Sequence, residues 1–166
     1  MARTSMSAII TILRAKINDS TSAIWTDDQL QNYLDMHRVH IRREKLEKDI
    51  QKENFYSSYQ ALEADAALYS GDDSDSSEVT PTSSNLVDGT FTFSTAQESD
   101  LYLDAKSYDI NGAIAECLDE LVTDVSRAKS WSRGGVKFTH YDLMALSKHF
   151  RSLSAPQSRK ARRTYQ

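Results

Sequence analysis

An apolar stripe with helical spacing runs through the second half of the chain. It consists of Ile110, Ala113, Ile114, Cys117, Leu118, Leu121, Val122 and Val125. Apolar side chains three and four residues apart lie on one face of an α-helix, whereas a β-strand points successive side chains to opposite faces. The stripe therefore predicts a helix at about 109–128, with Ile114, Leu118 and Leu121 at the centre of the core.

Two further segments have the same helical spacing. Residues 5–17 carry the apolar stripe Ile9, Ile12, Leu13 and Ile17. Residues 140–153 follow Thr139, a natural N-cap, and carry the stripe Leu143, Leu146, Phe150 and Leu153. We expect both helices to bury these stripes, and Leu146 and Phe150 to belong to the core.

The start of another helix is marked by its capping residues. Thr26 is a natural N-cap, and Gln29 stands three residues later, where it completes a capping box. We therefore predict a helix at about 26–43, with Leu30 and Leu34 in the core. Its apolar face consists of Leu30, Tyr33, Leu34, His37 and Ile41.

Period-two alternation replaces helical spacing in the middle of the chain. Apolar and polar residues alternate around Phe91, Phe93, Leu101 and Leu103. This pattern predicts strands with one buried face. Asp88-Gly89 is a hairpin turn signal, because glycine accepts a positive φ without strain. Residues 70–84 are rich in Ser and acids and nearly devoid of apolar side chains, which predicts a mobile loop.

Together these elements predict a mainly α protein. We expect a small four-helix bundle with a β-hairpin or small-sheet insertion between the second and third helices. The insertion is acidic and β-rich and covers about 53–105. One domain spans 1–153, and residues 154–166 form an extended basic C-terminal tail.

Charge is divided unevenly along the chain. The sequence has 20 basic and 24 acidic side chains, a net charge of −4 with His neutral. Residues 53–105 hold eleven of the acids and contain no Lys or Arg, whereas no acid follows Asp142. Such asymmetry indicates that different surfaces meet different partners.

The basic C-terminal tail has three interpretations. It is a solvated tail that keeps the protein soluble, a segment that contacts nucleic-acid phosphates, or an arm that orders against an acidic groove on a protein partner. In the last case Tyr165 is the aromatic anchor. The candidate partner-binding residues are Arg159, Lys160, Arg162, Arg163 and Tyr165.

The sequence contains no catalytic motif and no strong metal motif. Cys117 lies on the apolar stripe, where burial suppresses the thiolate. His37, His40 and Glu44 could share a helix face, but no third His lies near, so we interpret them as ordinary surface or interface residues. The segment 72–75 resembles the start of a calcium loop without its later Gly and Glu. We therefore expect a protein without enzymatic activity, without a metal site and without a cofactor.

Three segments resemble the head–tail connector (adaptor) proteins of tailed bacteriophages. The first is Leu13-Arg14-Ala15-Lys16-Ile17 followed by Trp25-Thr26-Asp27-Asp28-Gln29-Leu30. The second runs from Asp88-Gly89-Thr90-Phe91-Thr92-Phe93 through Leu101-Tyr102-Leu103 to Ser107-Tyr108-Asp109-Ile110. The third is Trp131-Ser132-Arg133-Gly134-Gly135-Val136-Lys137-Phe138, with a helix that ends in Phe150-Arg151-Ser152-Leu153.

This resemblance implies a structural virion protein of the phage neck, made soluble in the host bacterial cytoplasm. Adaptors of this family form a ring, commonly a dodecamer, that docks on the portal and receives the stopper or tail-proximal neck protein. Genomic DNA passes through the lumen without sequence-specific contacts, and no membrane is involved. The C-terminal segment of such rings often grips the portal, which carries over to residues 154–166 by position and basic character.

Two other functions remain open from the sequence. The first is a DNA-binding packaging or regulatory protein that uses the basic tail, although a charge of −10 over residues 1–142 opposes DNA elsewhere on the surface. The second is a different neck ring, a stopper or tail terminator, which would be more β-dominated.

Overall fold

The computed structural model describes residues 2–72, 76–124 and 137–154. These residues group into two compact units. The helical unit consists of 2–38, 109–124 and 137–154, and the β unit consists of 39–72 and 76–108. The single domain expected over 1–153 stays a prediction.

The predicted mainly α fold is wrong. Of the described residues, 38% are helical and 23% lie in strands, which form two four-stranded antiparallel sheets. The protein is therefore mixed α/β. The part of the chain between the second and third helices has an apolar core of its own. Its sheets also include β-strand residues before position 53 and after position 105.

The helical unit contains four α-helices among the described residues. They are α1 (Ser7–Ile17), which follows a 3₁₀ turn at Thr4–Met6, α2 (Asp27–Met36), α3 (Ile110–Thr123) and α4 (His140–Leu153). The predicted capping box at Thr26 is confirmed, with Gln29 as its partner. The predicted N-cap at Thr139 is confirmed as well, and Asp142 completes a capping box there. Residues 125–128, at the end of the helix predicted at 109–128, lie outside the described residues.

The core of the helical unit is built around α3. Leu30, Leu34, Ile114, Leu118 and Leu121 are all buried, together with residues of α1. Helices α1, α2 and α4 each pack against α3. The longest predicted apolar stripe is thus the surface on which the other helices meet.

The core assignment of two α4 residues needs correction. Leu146 and Phe150 are only half-buried, whereas Leu143 and Ser147 are buried. The reason is that α4 turns Leu143 and Ser147 toward α3, where the Ser147 hydroxyl donates to Asp119. Leu153 continues the stripe outward and is 49% exposed.

A buried arginine holds the connection between α1 and α2. The Arg14 guanidinium donates to Asp19 Oδ2 at 2.8 Å, to Asp27 Oδ1 at 2.6 Å and to the Trp25 carbonyl at 2.9 Å. The Asp19 carboxylate in turn accepts the backbone N–H groups of residues 23–25. A buried charge is tolerated here because every partner is present.

The second helix is ten residues long, so the predicted range of 26–43 is wrong. It ends at Met36, and His37 follows as the C-cap. Gly112 of α3 explains the packing there: a Cβ at this position would lie 2.5 Å from His37 Nδ1. The absence of a side chain at 112 therefore lets the imidazole ring lie against the backbone of α3.

The β unit contains two four-stranded sheets. The first has the order β1 (Arg38–Lys45), β8 (Tyr102–Tyr108), β4 (Ala67–Tyr69) and β5 (Glu78–Val79). The second has the order β2 (Glu47–Lys48), β3 (Asn54–Tyr56), β7 (Thr90–Thr92) and β6 (Ser83–Asn85). The predicted insertion at 53–105 is therefore too short at both ends.

One apolar cluster fills the β unit. Its members come from both sheets and the segments between them: Ile41, Leu46, Phe55, Leu62, Leu68, Phe91, Phe93, Leu101 and Leu103. Phe55 and Phe93 meet edge to face, with ring centroids 5.6 Å apart. The alternation predicted around Phe91 and Leu103 is confirmed, because both are buried in strands.

The predicted hairpin at Asp88-Gly89 is confirmed. Strand β6 pairs antiparallel with β7, and Asn85 lies opposite Thr90. Gly89 has φ +67°, and a Cβ there would lie 2.2 Å from the Tyr59 carbonyl oxygen. Only glycine fits this position without strain. The loop expected over 70–84 is wrong in part, because β5 and the first two residues of β6 fall within it.

Leu118→Ala tests the core of the helical unit. Leu118 is 2% exposed, and removing its side chain leaves a cavity, so we expect a loss of about 2–5 kcal/mol in the free energy of unfolding. Leu153→Ala is the matched control, because Leu153 is 49% exposed, and it should change stability by less than about 1 kcal/mol. Urea denaturation followed by circular dichroism measures both, and equal losses would contradict the assigned core.

Candidate functional site

The tail residues predicted to bind a partner lie outside the described residues. These are Arg159, Lys160, Arg162, Arg163 and Tyr165. Residues 131–136 of the third segment that carries the family resemblance lie outside as well. The candidate site is therefore built from the surface of the β unit, which carries a groove and several ion pairs.

Several acids of the β unit are paired with cations from residues 43–52 and from Lys106. Asp100 accepts from Lys45 and Lys48, the latter at 3.0 Å, and Glu98 accepts from Lys52. These contacts lower the pKa of Asp100, chiefly through hydrogen bonds from the two lysines. The charge segregation of the sequence is thus partly cancelled in space, because residues 38–52 lie beside the acidic segment.

A buried carboxylate contacts two residues of β8 in the first sheet. Glu63 is fully buried; its Oε2 accepts from the Tyr108 hydroxyl at 2.6 Å and lies 3.3 Å from Lys106 Nζ. Lys106 also donates to Asp65, and this hydrogen bond raises the pKa of Lys106. The lysine therefore stays charged and compensates the buried acid.

Arg43 is the most connected cation on the surface of the β unit. Its backbone is left-handed, with φ 49°, and its N–H donates to Asp104 Oδ1 at 2.6 Å. Its Nη1 donates to the Gly71 carbonyl at 3.2 Å and to Ser76 Oγ at 2.7 Å. The guanidinium carbon lies 3.7 Å from the centroid of the Tyr69 ring, a cation–π contact.

A groove of about 580 Å³ lies beside this arginine, and we call it the β1 groove. The groove is lined by four apolar or aromatic residues, Ile41, Ala67, Tyr69 and Ala105, and by six charged residues or histidines, His40, Arg42, Arg43, Asp65, Asp104 and Lys106. Arg43 pairs with Asp104 and Lys106 pairs with Asp65, whereas His40 and Arg42 make no ion pair or hydrogen bond within the described residues. The β1 groove is therefore a largely polar surface whose charged side chains are mostly paired.

A second surface feature is an isoleucine at the tip of a turn. Ile50 is 95% exposed and lies between β2 and β3. The turn is closed by bonds from the Lys52 N–H to the Asp49 carbonyl, at 3.2 Å, and from the Asp49 N–H to the Asn54 carbonyl, at 3.0 Å. We call residues 49–52 the Ile50 turn.

The Asp49 side chain also closes the Ile50 turn. Its carboxylate accepts from Asn54 Nδ2 at 2.7 Å and from the Glu53 N–H at 3.1 Å. The hydrogen bond from the Asn54 side chain is the main reason that the pKa of Asp49 is lowered. The Ile50 turn is thus closed by backbone hydrogen bonds and by bonds to the Asp49 side chain.

The described residues show no arrangement suited to a metal. No group of three His, Cys, Asp or Glu side chains among them could hold an ion. The helix face proposed for His37, His40 and Glu44 does not exist, because His40 and Glu44 lie on β1 and the Glu44 carboxylate accepts from Ser57 at 2.7 Å. Cys117 is buried, and burial raises the pKa of its thiol.

No family model, curated protein or solved structure matches this chain. Among the described residues, no helix has the length and apolar character needed to cross a membrane.

The sequence could have indicated part of this surface. Val39 and Ile41 alternate with basic residues, which is a β pattern, although Ile41 also fits the apolar face of the helix predicted at about 26–43. The exposure of Ile50 and the contacts of Arg43 had no such signal, because both depend on where distant strands meet.

Arg43→Lys tests whether the guanidinium fork organises this surface. Lysine cannot reproduce the contacts to Gly71, Ser76 and Tyr69 together, so we expect a loss of about 1–3 kcal/mol in the free energy of unfolding. Arg42→Lys is the matched control, since Arg42 is exposed and unpaired among the described residues, and it should change stability by less than about 0.5 kcal/mol. The same loss in both variants would refute the role of Arg43.

Asp49 should make the β unit sensitive to acid. Its pKa in the folded state lies below the ordinary 3.8, so its stabilisation is complete above that pH and is lost as the pH falls through the folded pKa. Asp49→Asn removes this dependence. Urea denaturation of the wild type and the variant at about pH 6 and about pH 3 should show a difference in stability that shrinks at the lower pH. A difference that stays constant would contradict the charged hydrogen bonds of Asp49.

Proposed function

We propose that this protein is a head–tail connector adaptor of a tailed bacteriophage. In this role it forms a ring that docks on the portal, joins it to the stopper or tail, and passes DNA through its lumen. It acts without catalysis, as a structural component of the virion neck. Its partners are further copies of itself, the portal protein and the next neck protein.

The observation that carries this proposal is the order of elements at the quoted segments. Thr26-Asp27-Asp28-Gln29-Leu30 is the capped start of α2, and Asp88-Gly89 lies in a hairpin turn. Tyr108-Asp109 is the junction of β8 and α3, where the Asp109 side chain accepts from the N–H groups of Asn111 and Gly112. Two helices before the β unit in the chain and two after it are what the resemblance to adaptors with a β insertion implies.

The last helix supports the same proposal. The segment Phe150-Arg151-Ser152-Leu153 ends α4, and Arg151 donates to Glu116 at 3.2 Å and to Asp119. The Ser154 hydroxyl donates to Asp109, so the last described residue is fastened to the start of α3. The basic tail thus begins at a fixed point of the helical unit, as an arm that grips a partner requires.

Electron microscopy of the full chain mixed with the portal protein encoded in the same genome tests the proposal. The expected result is an additional ring of density on one face of the portal. A portal that stays unchanged would overturn the proposal. A shift of duplex DNA by the chain alone at about 0.15 M salt would instead favour a DNA-binding protein.

Removal of residues 155–166 should separate folding from attachment. The truncated chain keeps all described helices and strands, so we expect an unchanged thermal midpoint and at least a tenfold loss in portal binding. A variant of full length with Gln at Arg159, Lys160, Arg162 and Arg163 shows whether charge or length matters. Co-sedimentation with the portal measures attachment, and full binding by the truncated chain would refute the role of the tail.

A further inference from the structure

Strand β1 is a long edge strand of the first sheet. It pairs with β8 on one side only, because the order of this sheet is β1, β8, β4 and β5. It has eight residues, whereas the other edge strands among the described residues, β2, β5 and β6, have two or three. The outer side of an edge strand presents backbone N–H and C=O groups to which a further strand can bind.

The open part of this edge consists of residues 39–42, which we call the β1 edge. Within the described residues, no backbone or side-chain group is hydrogen-bonded to their backbone on the side away from β8. Arg43 ends the open part, because its backbone is left-handed and its N–H donates to the Asp104 side chain. A stretch of this length can pair with a short strand, since strands of about three to ten residues are common.

The exposed side chains of the β1 edge are basic. His40 and Arg42 are exposed and alternate with Val39 and Ile41, of which Ile41 is buried in the apolar cluster of the β unit. In the part of the chain that the structure describes, neither basic side chain makes an ion pair or a hydrogen bond. The solvent face of the edge therefore carries the uncompensated charge of Arg42 and a ring N–H donor at His40.

These side chains select between possible strands. Charged residues on an edge oppose pairing between two copies of the same chain, because like charges on neighbouring strands destabilise a sheet. Two β1 edges would bring the basic residues of both copies together. A strand with carboxylates at alternate positions would instead place opposite charges side by side, which stabilises the pairing.

We propose that the β1 edge binds an extended acidic segment of a partner protein, which adds a strand to the first sheet. In this mode of recognition, main-chain hydrogen bonds provide affinity and side chains at alternate positions provide specificity. The bound segment carries Asp or Glu at every second position, on the same face as His40 and Arg42. This inference does not depend on the proposed function, which uses the basic tail.

A synthetic peptide that binds to the full chain tests the proposal. The probe is a fluorescent heptapeptide in which Glu alternates with Val, and its anisotropy is measured at about 0.15 M salt, where long-range attraction is screened. We expect saturable binding, together with slower hydrogen exchange of backbone amides in the β1 edge. The same peptide with Lys in place of Glu should bind at least tenfold more weakly. Equal binding of the two peptides, or binding of neither, would overturn the proposal.

Backbone methylation separates the addition of a strand from attraction by charge alone. In an added strand, only every second residue turns its N–H toward the neighbouring strand. Two further acidic peptides therefore carry N-methyl groups, one on its Glu residues and the other on its Val residues. We expect one of them to lose at least tenfold in affinity and the other to keep it. Equal affinity of these two peptides, whether high or low, would contradict strand addition.

Charge reversal in the protein supplies the matched variants. Arg42→Glu combined with His40→Glu should weaken binding of the acidic peptide at least tenfold and strengthen binding of the Lys peptide. Lys16→Glu is the control, because Lys16 is an exposed lysine on α1, and it should leave both affinities within about twofold. Thermal midpoints equal to that of the wild type establish that the variants are folded. An equal loss in the control would refute the role of the β1 edge.

Hydrogen exchange of the chain without peptide tests the alternative occupant. Protection of the β1 edge should not change with protein concentration, because pairing between copies is disfavoured. Protection that rises with concentration would show that a second copy binds there, and it would overturn the acidic segment as the occupant.

Discussion

The β unit depends on cations that its acidic segment does not contain. Residues 53–105 hold no Lys or Arg, and their carboxylates find Lys45, Lys48 and Lys52 on one side and Lys106 on the other. Arg43 does the same for Asp104. The flanking strands therefore supply charge as well as hydrogen bonds. Without them the sheets would bring like charges together, and a buried acid such as Glu63 would lack its compensating lysine.

The helices could be predicted because their signals are local. The caps at Thr26, Asp109 and Thr139 lie within three residues of the backbone groups that they satisfy. The apolar stripe of α3 likewise repeats with the period of an α-helix. Strand β1 was missed because its apolar residues also fit a helix. His37 and Ile41 are four residues apart, whereas Val39 and Ile41 alternate, and such short stretches satisfy both periods.

The candidate site could not be predicted in the same way. The β1 groove combines side chains from residues 40–43, 65–69 and 104–106, which meet only through strand order. The exposure of Ile50 is likewise a property of the folded turn, since isoleucine in a sequence otherwise indicates burial. Partial burial of Leu146 shows the limit of periodicity too: the stripe marks an apolar face without showing how much of that face a neighbour covers.

The close approach of Gly112 to His37 has an evolutionary consequence. The imidazole occupies the space that a Cβ at position 112 would need, and it belongs to the residue that ends α2. A larger residue at 112 would push the ring away from its place beside Glu116, whose Oε1 lies 3.3 Å from His37 Nε2. Homologous chains should therefore vary these two positions together: a side chain at 112 is compatible only with a smaller residue at 37.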